Sequence, residues 1–236
     1  MKIFDLTNTL TQKIKTYPTG PDDKPETAPR VEIVKQSNAY HVGDPWRLME
    51  TDYLSKLTTS GYNWMHYVMD SHAGTHVDAP YHFDNDGLKI GDVPLERYVN
   101  NAILLNVKDS ILRPENILAL RDKIRNRILL LYTGWPEKRT FGEDSYFFDF
   151  PTFGPEIGQA ILDVGALAVG VDTPSIDALD GHFENHYLLL PNNVVLIENL
   201  TNLHSLLDVP EFIFNAAPLK IHEGDASPVR AFAIIK

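Results

Sequence analysis

Cysteine is absent from the 236 residues of this chain. The sequence therefore excludes a disulfide scaffold, a thiolate metal site, a cysteine nucleophile and a redox-active thiol pair. Any transition metal would have to be held by histidine and carboxylate side chains. The sequence also lacks a Gly-x-Ser-x-Gly elbow and a glycine-rich phosphate loop, which argues against serine-hydrolase and nucleotide chemistry.

Positive charge is scarce, with 21 Lys and Arg against 32 Asp and Glu and a formal net charge of −11. A chain this acidic repels phosphate backbones and anionic lipids, so we expect no nucleic-acid or membrane partner. Long apolar runs are missing as well, and residues 1–10 do not have the continuous apolar stretch of a secretory signal. We therefore expect a cytoplasmic protein.

The composition, 43% hydrophobic and 22% charged, is typical of a globular protein, and the length suits a single domain over residues 1–236. Pro114 and Pro155 each stand at a favourable first position of a helix, predicting helices over 114–124 and 155–164. Buried-type apolar runs alternate with these helices, so we predict an α/β fold with a central mixed β-sheet flanked by helices. The predicted strands are 2–6, 31–35, 64–69, 102–107, 127–132, 166–171, 194–198, 211–215 and 229–235.

Two segments predict loops. Residues 19–29 are rich in proline, glycine and acid. Residues 36–60 are polar, without a clean period, and contain Trp46 and Tyr53. This second segment fits a substrate-covering excursion and an ordinary surface loop about equally well.

Histidines are concentrated in HAGTHVDAPYH, the eleven residues 72–82, which hold His72, His76 and His82 together with Asp78. Imidazole and carboxylate are ligands for Zn²⁺, Mn²⁺ or Fe²⁺ when no thiol is present. In a fully extended chain His72 and His76 would lie roughly 13 Å apart, too far for joint coordination. We therefore expect the chain to bend between them, at Gly74.

The run HAGTHVDAPYHF resembles the signature of the cyclase-type metal-dependent hydrolases, a superfamily that includes bacterial kynurenine formamidase and isatin hydrolase. Further similarity lies in FDLTNTL near the start, GVDTPSID at 170–177, NVVLIENLTNL after His186, and DASPVRAFAI near the end. The resemblance thus extends from about residue 4 to residue 234. It implies a swivelling β/α/β-like domain that forms homodimers or larger homo-oligomers.

Carried over by position, the resemblance implies two divalent metals per chain, Zn²⁺ or Mn²⁺. Asp78 would bridge them, and His82 matches the catalytic histidine of the family. The implied metal ligands are His72, His76, Asp78, His186 and Glu198.

The residues themselves leave some of these roles open. A glutamate at the end of VVLIE needs a partner, so Glu198 fits a metal ligand and a salt-bridged strand end equally well. Asp172 and Asp177 could orient ligand histidines, but aspartate is common in turns and we favour the turn interpretation for both. His182 more often represents a solvated histidine than a supporting residue of the site.

These observations predict a hydrolase that attacks a small amide or lactone with metal-activated water while His82 protonates the leaving group. The best-known family substrate makes an arylformamidase acting on N-formylkynurenine the specific prediction. One alternative is a mononuclear manganese enzyme acting on a cyclic amide, as in isatin hydrolases, and another is a non-catalytic metal-binding protein. The aromatic residues that could line the substrate pocket, or belong to the core, are Trp46, Tyr62, Trp64 and Phe83.

Overall fold

The computed structural model describes residues 1–11, 32–37, 63–179 and 181–235, with only the backbone described for 32–37 and 63–66. The predicted loop at 19–29 and most of the polar segment 36–60 lie outside the described residues. The same holds for Trp46, Tyr53 and Tyr62 and for the side chain of Trp64.

The described residues form one nine-stranded mixed sheet and a separate two-stranded ribbon, β2 (Glu32–Ser37) with β3 (Asn63–Val68). The strands of the large sheet follow the order β1-β11-β9-β5-β6-β7-β8-β4-β10. They are β1 (Lys2–Asp5), β4 (His76–Asp78), β5 (Val99–Asn106), β6 (Ile128–Tyr132), β7 (Ala168–Val171), β8 (Val195–Glu198), β9 (Phe212–Asn215), β10 (Ala226–Pro228) and β11 (Phe232–Ile235).

The centre of the sheet is parallel and covered on both faces. Strands β5 to β8 pair in parallel, and all five residues of β6 are buried. On one face, Leu129 and Leu131 pack in a core with Ile117 and Ile157 from the helices. Continuous apolar strands are typical of such doubly covered sheets. The predicted α/β class with a central mixed sheet is therefore confirmed.

One of the two predicted helices is interrupted, and the other has the predicted bounds. The predicted helix 114–124 is divided into α1 (Pro114–Leu118) and α2 (Arg121–Ile124), because Leu120 has φ −101° and ψ 12°, outside the helical region. Helix α3 (Pro155–Val164) has the predicted bounds and ends at Gly165, whose φ of 74° is left-handed. A further helix, α4 (Glu184–Leu189), follows. None of the described helices is long and apolar enough to span a membrane.

The predicted strand 229–235 is wrong at its start, because residues 229–231 connect β10, at one edge of the sheet, to β11, the strand next to the other edge. β10 pairs with β4, whereas β11 lies between β1 and β9, and only residues 229–231 connect them. In a flat sheet the seven strand spacings between β10 and β11 would measure roughly 34 Å, but so short a link spans about 13 Å. The sheet therefore curls until its ends approach, as the bridge between Thr7 and Leu200 shows.

Candidate metal site

Strand β4 contributes two of the predicted ligands. His76 and Asp78 are two residues apart, so their side chains leave the strand on the same face. His76 lies opposite Glu198 of β8, and Asp78 lies opposite Ala226 of β10. His76 Nε2 is 3.3 Å from Asp78 Oδ1 and 3.6 Å from Glu198 Oε2. A strand of three residues is too short to recognise in the sequence, yet it places both groups inside the curled sheet.

The predicted bend before β4 is confirmed. Gly74 has φ +66°, and a Cβ atom there would lie 2.5 Å from Leu10 Cδ2, so both backbone and space require glycine. The bend brings His72 Nδ1 to 3.0 Å from Asp78 Oδ1. The Gly74 carbonyl also accepts a hydrogen bond from His76 Nδ1 at 2.8 Å. His76 Nε2 therefore faces Asp78.

His186 and Glu198 complete the cluster from the other side. His186, on α4, has its Nε2 atom 3.7 Å from Asp78 Oδ2 and 3.6 Å from Glu198 Oε1. Glu198 Oε1 also accepts a hydrogen bond from the Ile176 backbone N–H at 2.9 Å. The structure thus brings all five predicted ligands into one cluster, although His186 and Glu198 lie more than one hundred residues after the other three along the chain.

His82 lies at the rim of this cluster. It ends the 3₁₀ helix Pro80–His82, and its ring centroid is 4.2 Å from that of His72 and 6.1 Å from that of His186. One of its ring nitrogens lies within 4.8 Å of ligand atoms of Asp78 and His186. His82 is therefore close enough to a molecule bound at the cluster to exchange a proton with it.

Several buried polar atoms of the cluster make no hydrogen bond. They are His76 Nε2 and both carboxylate oxygens of Asp78. Leaving a buried charged group without hydrogen bonds is costly, so these atoms call for a ligand. Neutral imidazole and carboxylate are the donors that Zn²⁺ and Mn²⁺ accept, and the residues present therefore fit a divalent metal.

The electrostatics of the cluster show why protons would compete with a metal. Burial by itself lowers the pKa of His72, but the carboxylates of Asp78 and Asp225 outweigh it and raise that pKa to about 10. Burial raises the pKa of Asp78, yet His72 and His76 hold it well below its usual value. Burial also raises the pKa of Glu198. Metal binding here would release protons, because ligand histidines must be neutral.

Two aspartates that the sequence interpreted as turn residues have different roles. Asp177 Oδ2 is 2.7 Å from His186 Nδ1 and accepts a hydrogen bond from the His186 backbone N–H. The turn interpretation therefore missed the main contact of Asp177. This contact leaves His186 Nε2 facing the cluster. Asp172 instead accepts hydrogen bonds from the Thr133 and Gly134 backbone N–H groups, in the turn after β6, as the sequence favoured.

The remaining candidates divide between rim and surface. Phe83 is half-buried, and its ring lies 4.7 Å from that of His82, 4.8 Å from that of His186 and 4.7 Å from that of Tyr187. It therefore borders the cluster as well as packing against the core. His182 is exposed, as the sequence favoured.

Sequence reasoning missed Asp225. Its Oδ2 atom lies 3.0 Å from His72 Nε2 and 3.4 Å from His82 Nδ1. The residue stands in DASPVR, a run that drew attention only for its similarity to a family strand. No local spacing links it to residues 72–82, because the contact depends on the pairing of β10 with β4.

Comparison with known proteins identifies the family of this chain. The family model described as putative cyclase matches residues 4–178. A kynurenine formamidase of Bacillus mycoides is 33% identical over 181 residues, covering 75% of this chain and 82% of the relative. A kynurenine formamidase of Salinibacter ruber is 34% identical over 168 residues, covering 69% of this chain and 76% of the relative.

Solved structures share the fold along nearly the whole chain. Isatin hydrolase A from Labrenzia aggregata matches with a TM-score of 0.77 at 24% identity, covering 99% of this chain and 93% of that one. A protein described as a metal-dependent hydrolase from Bacillus stearothermophilus matches with a TM-score of 0.69 at 24% identity, covering 98% and 97%. Sequence and fold together show that the chain belongs to the cyclase family of metal-dependent hydrolases.

Proposed function

We propose that this hydrolase cleaves the amide bond of an N-formylated arylamine, with N-formylkynurenine as its foremost substrate, and that it uses two divalent metals. The observation that carries the proposal is the position of Asp78, whose two oxygens face different histidines. Oδ1 lies near His72 and His76, whereas Oδ2 lies near His186. A carboxylate placed in this way suits a bridge between two cations.

The proposed ligands fall into two groups that share Asp78. His72 and His76 would hold one metal and His186 and Glu198 the other. Zn²⁺ or Mn²⁺ at these positions would supply Lewis acidity and lower the pKa of water toward about 7.

His82 is the proposed proton-transfer residue. An amide nitrogen leaves poorly unless it is protonated, and a histidine can both take and give a proton near neutral pH. His82 stands outside the two ligand groups, half-buried at the rim, so its ring can reach a substrate bound against the cluster. It would accept a proton as water attacks and return it to the departing nitrogen.

The aromatic side chains next to the cluster support an aryl substrate. The rings of Phe183 and Tyr187 lie 5.7 and 4.7 Å from that of Phe83, which itself touches His82 and His186. Ring pairs at such distances gain energy beyond simple burial, so an aromatic substrate could stack in the same way. The 33% identity to a kynurenine formamidase agrees with this choice.

The test combines metal analysis with two substrates. Elemental analysis of the purified protein is followed by hydrolysis assays of the metal-loaded form with N-formylkynurenine and with isatin. We expect two metals per chain and faster turnover of N-formylkynurenine. Glu198→Gln should reduce the metal content to one, whereas the matched change Glu115→Gln, at an exposed residue of α1, should leave two. Two metals in Glu198→Gln would contradict the assignment of that ligand.

A second candidate is a mononuclear manganese enzyme acting on a cyclic amide. It is favoured by the triad of His72, His76 and Asp78, whose ligand atoms all lie within 4.8 Å of one another and could hold one ion alone. One metal per chain with isatin turnover would select this candidate. Metal binding with no hydrolysis of either compound would instead favour the non-catalytic metal-binding protein of the sequence analysis.

Assembly and location also remain proposals. The family resemblance supports a homodimer or larger homo-oligomer, and light scattering coupled to size exclusion measures it directly. We also propose a cytoplasmic location, and the acidic composition supports the absence of nucleic-acid partners. A monomer at micromolar concentration would contradict the proposed assembly.

A further inference from the structure

We propose that Asp225 is a positioning residue that holds two histidines of the site with one carboxylate oxygen. Through Oδ2 it fixes the ring of His72, a proposed metal ligand, and the ring of His82, the proposed proton-transfer residue. It thereby decides which nitrogen of each ring faces the reaction space. The part concerning His82 rests on the proposed function, whereas the part concerning His72 needs only that a metal binds.

The backbone around Asp225 is held by the sheet. The Asp225 carbonyl accepts a hydrogen bond from the Ala79 N–H at 2.8 Å, directly after Asp78 at the end of β4. One residue earlier, the Gly224 carbonyl accepts a hydrogen bond from the Ile90 N–H, also at 2.8 Å. The backbone of Asp225 is therefore fixed one strand spacing away from Asp78. This backbone pairing holds its carboxylate beside the histidines.

The contact with His72 sets the tautomer of that ring. Its Nδ1 atom faces Asp78 Oδ1 at 3.0 Å, and its Nε2 atom faces Asp225 Oδ2 at 3.0 Å. A carboxylate can only accept, so Asp225 requires a proton on Nε2. The lone pair of Nδ1 is then the one available to a metal beside Asp78. A carboxylate behind a ligand histidine orients the ring and raises its basicity.

The same oxygen sets the tautomer of His82. His82 Nδ1 lies 3.4 Å from Asp225 Oδ2, so the proton belongs on Nδ1 and the lone pair on Nε2. Asp225 Oδ2 thus faces one nitrogen of each ring. His82 Nε2 is then the atom that can take a proton first and return it later.

The other ligand histidines are backed separately. The Gly74 carbonyl accepts from His76 Nδ1, and Asp177 accepts from His186 Nδ1. Among the described residues, Asp225 is the acceptor shared between a ligand ring and the rim histidine. This sharing links the metal side of the site to its proton-transfer side.

The tautomers can be measured directly in the wild-type protein. Long-range ¹H–¹⁵N correlation spectra of the zinc-loaded protein, labelled with ¹⁵N histidine, distinguish a proton on Nδ1 from one on Nε2. The His82 signal is assigned by its disappearance in His82→Ala. A solvated neutral histidine prefers the proton on Nε2, so the expected Nδ1–H form of His82 is diagnostic. Finding His82 with its proton on Nε2 would overturn its positioning by Asp225.

The variant Asp225→Ala tests both contacts, with Glu223→Gln as the matched control. Glu223 lies two residues earlier in the same segment and is exposed. In Asp225→Ala we expect His82 to revert to the Nε2–H form, and the d–d absorption of the cobalt-loaded protein to shift as the His72 ring is released. Metal affinity should fall by about 10–100-fold. Glu223→Gln should change none of these properties, and a cobalt spectrum unaltered in Asp225→Ala would overturn the role toward His72.

Kinetics then separate this inference from the proposed function. At saturating metal, Asp225→Ala should lower kcat more than tenfold while KM changes by less than about twofold, because substrate contacts remain. If the wild-type protein shows the Nδ1–H tautomer of His82 but hydrolyses no substrate, the proposed function fails and the positioning stands. If it hydrolyses N-formylkynurenine with His82 in the Nε2–H form, the positioning fails and the proposed function stands.

Discussion

The two halves of the candidate metal site differ in how they meet solvent. In the inner half, the side chains of His186, Glu198 and Asp177 are 3%, 1% and 6% exposed. In the outer half, those of His72 and His82 are 18% and 27% exposed. Asp78 lies between the halves and touches both. This difference fits the proposed function if the inner half holds a cation while water and substrate enter from the outer half.

The inner half needs a cation for an electrostatic reason. Two carboxylates, Asp78 and Glu198, are buried with histidines as their charged neighbours, and burial raises the pKa of Glu198. Moving an ionised carboxylate out of water costs several kcal/mol unless a positive partner repays it. The divalent metal of the proposed function would supply this positive partner at the point where Asp78 has no hydrogen bonds.

The largest effect is expected from Asp78→Ala, because this residue belongs to both halves. We expect the variant to lose both metals and all measurable hydrolysis, as elemental analysis and initial rates would show. Asp86→Ala, at an exposed position shortly after the same segment, is the control and should keep both. If Asp78→Ala retained its metals, the shared role of this carboxylate would be wrong.

The residues of the histidine-rich segment 72–82 were the more predictable part of the site from the sequence. His72, His76, Asp78 and His82 fall within eleven residues, so composition and spacing alone indicate a metal site, and the extended-chain length requires the bend at Gly74. The central strands were equally predictable from the sequence, because fully buried strands such as β6 consist of apolar residues throughout.

The supporting residues were not predictable in this way. Asp225 reaches His72 across 153 residues through strand pairing, which no local pattern reveals. Asp177 lies in TPSID, where turn propensity is a stronger signal than a contact with a histidine nine residues later. The unpredicted strand β10 and the late start of β11, at Phe232 instead of Val229, depend on the curl of the whole sheet. Each of these features arises from tertiary structure and not from sequence periodicity.

His82→Ala tests whether the outer half carries the chemistry. Removing a proton-transfer histidine typically costs 10²–10⁴-fold in rate, so we expect kcat to fall by about that factor. The metal content should stay at the wild-type value, because His82 is not a proposed ligand. His204→Ala, an exposed histidine outside the site, is the control. Equal loss of metal in His82→Ala and Asp78→Ala would contradict the division of roles.

Removal of metal tests the stabilising role of the inner half. At free metal about 100 times Kd, binding to the folded state stabilises it by about 2.7 kcal/mol. For a chain of this size we therefore expect a chelator to lower Tm by roughly 5–10 °C in a thermal denaturation scan. The same chelator should leave the Tm of Asp78→Ala unchanged. If the chelator left the wild-type Tm unchanged, the buried carboxylates would have to be stabilised without metal.

Asp177→Asn should have the smallest effect of these variants. It tests whether the inner half affects metal affinity alone or also the chemical step. The amide keeps the size of the side chain and can still accept from His186 Nδ1, but it loses the charge that supports the ring. We expect about a tenfold loss in affinity for the second metal, at the low end of the range for such supporting residues. Because the inner half is proposed to hold metal and not to transfer protons, kcat should recover fully once metal is saturating. Titration calorimetry measures the affinity, and Asp163→Asn, at an exposed residue of α3, is the control. If kcat stayed low at saturating metal, the inner half would also shape the chemistry, and the contrast with Asp225 would disappear.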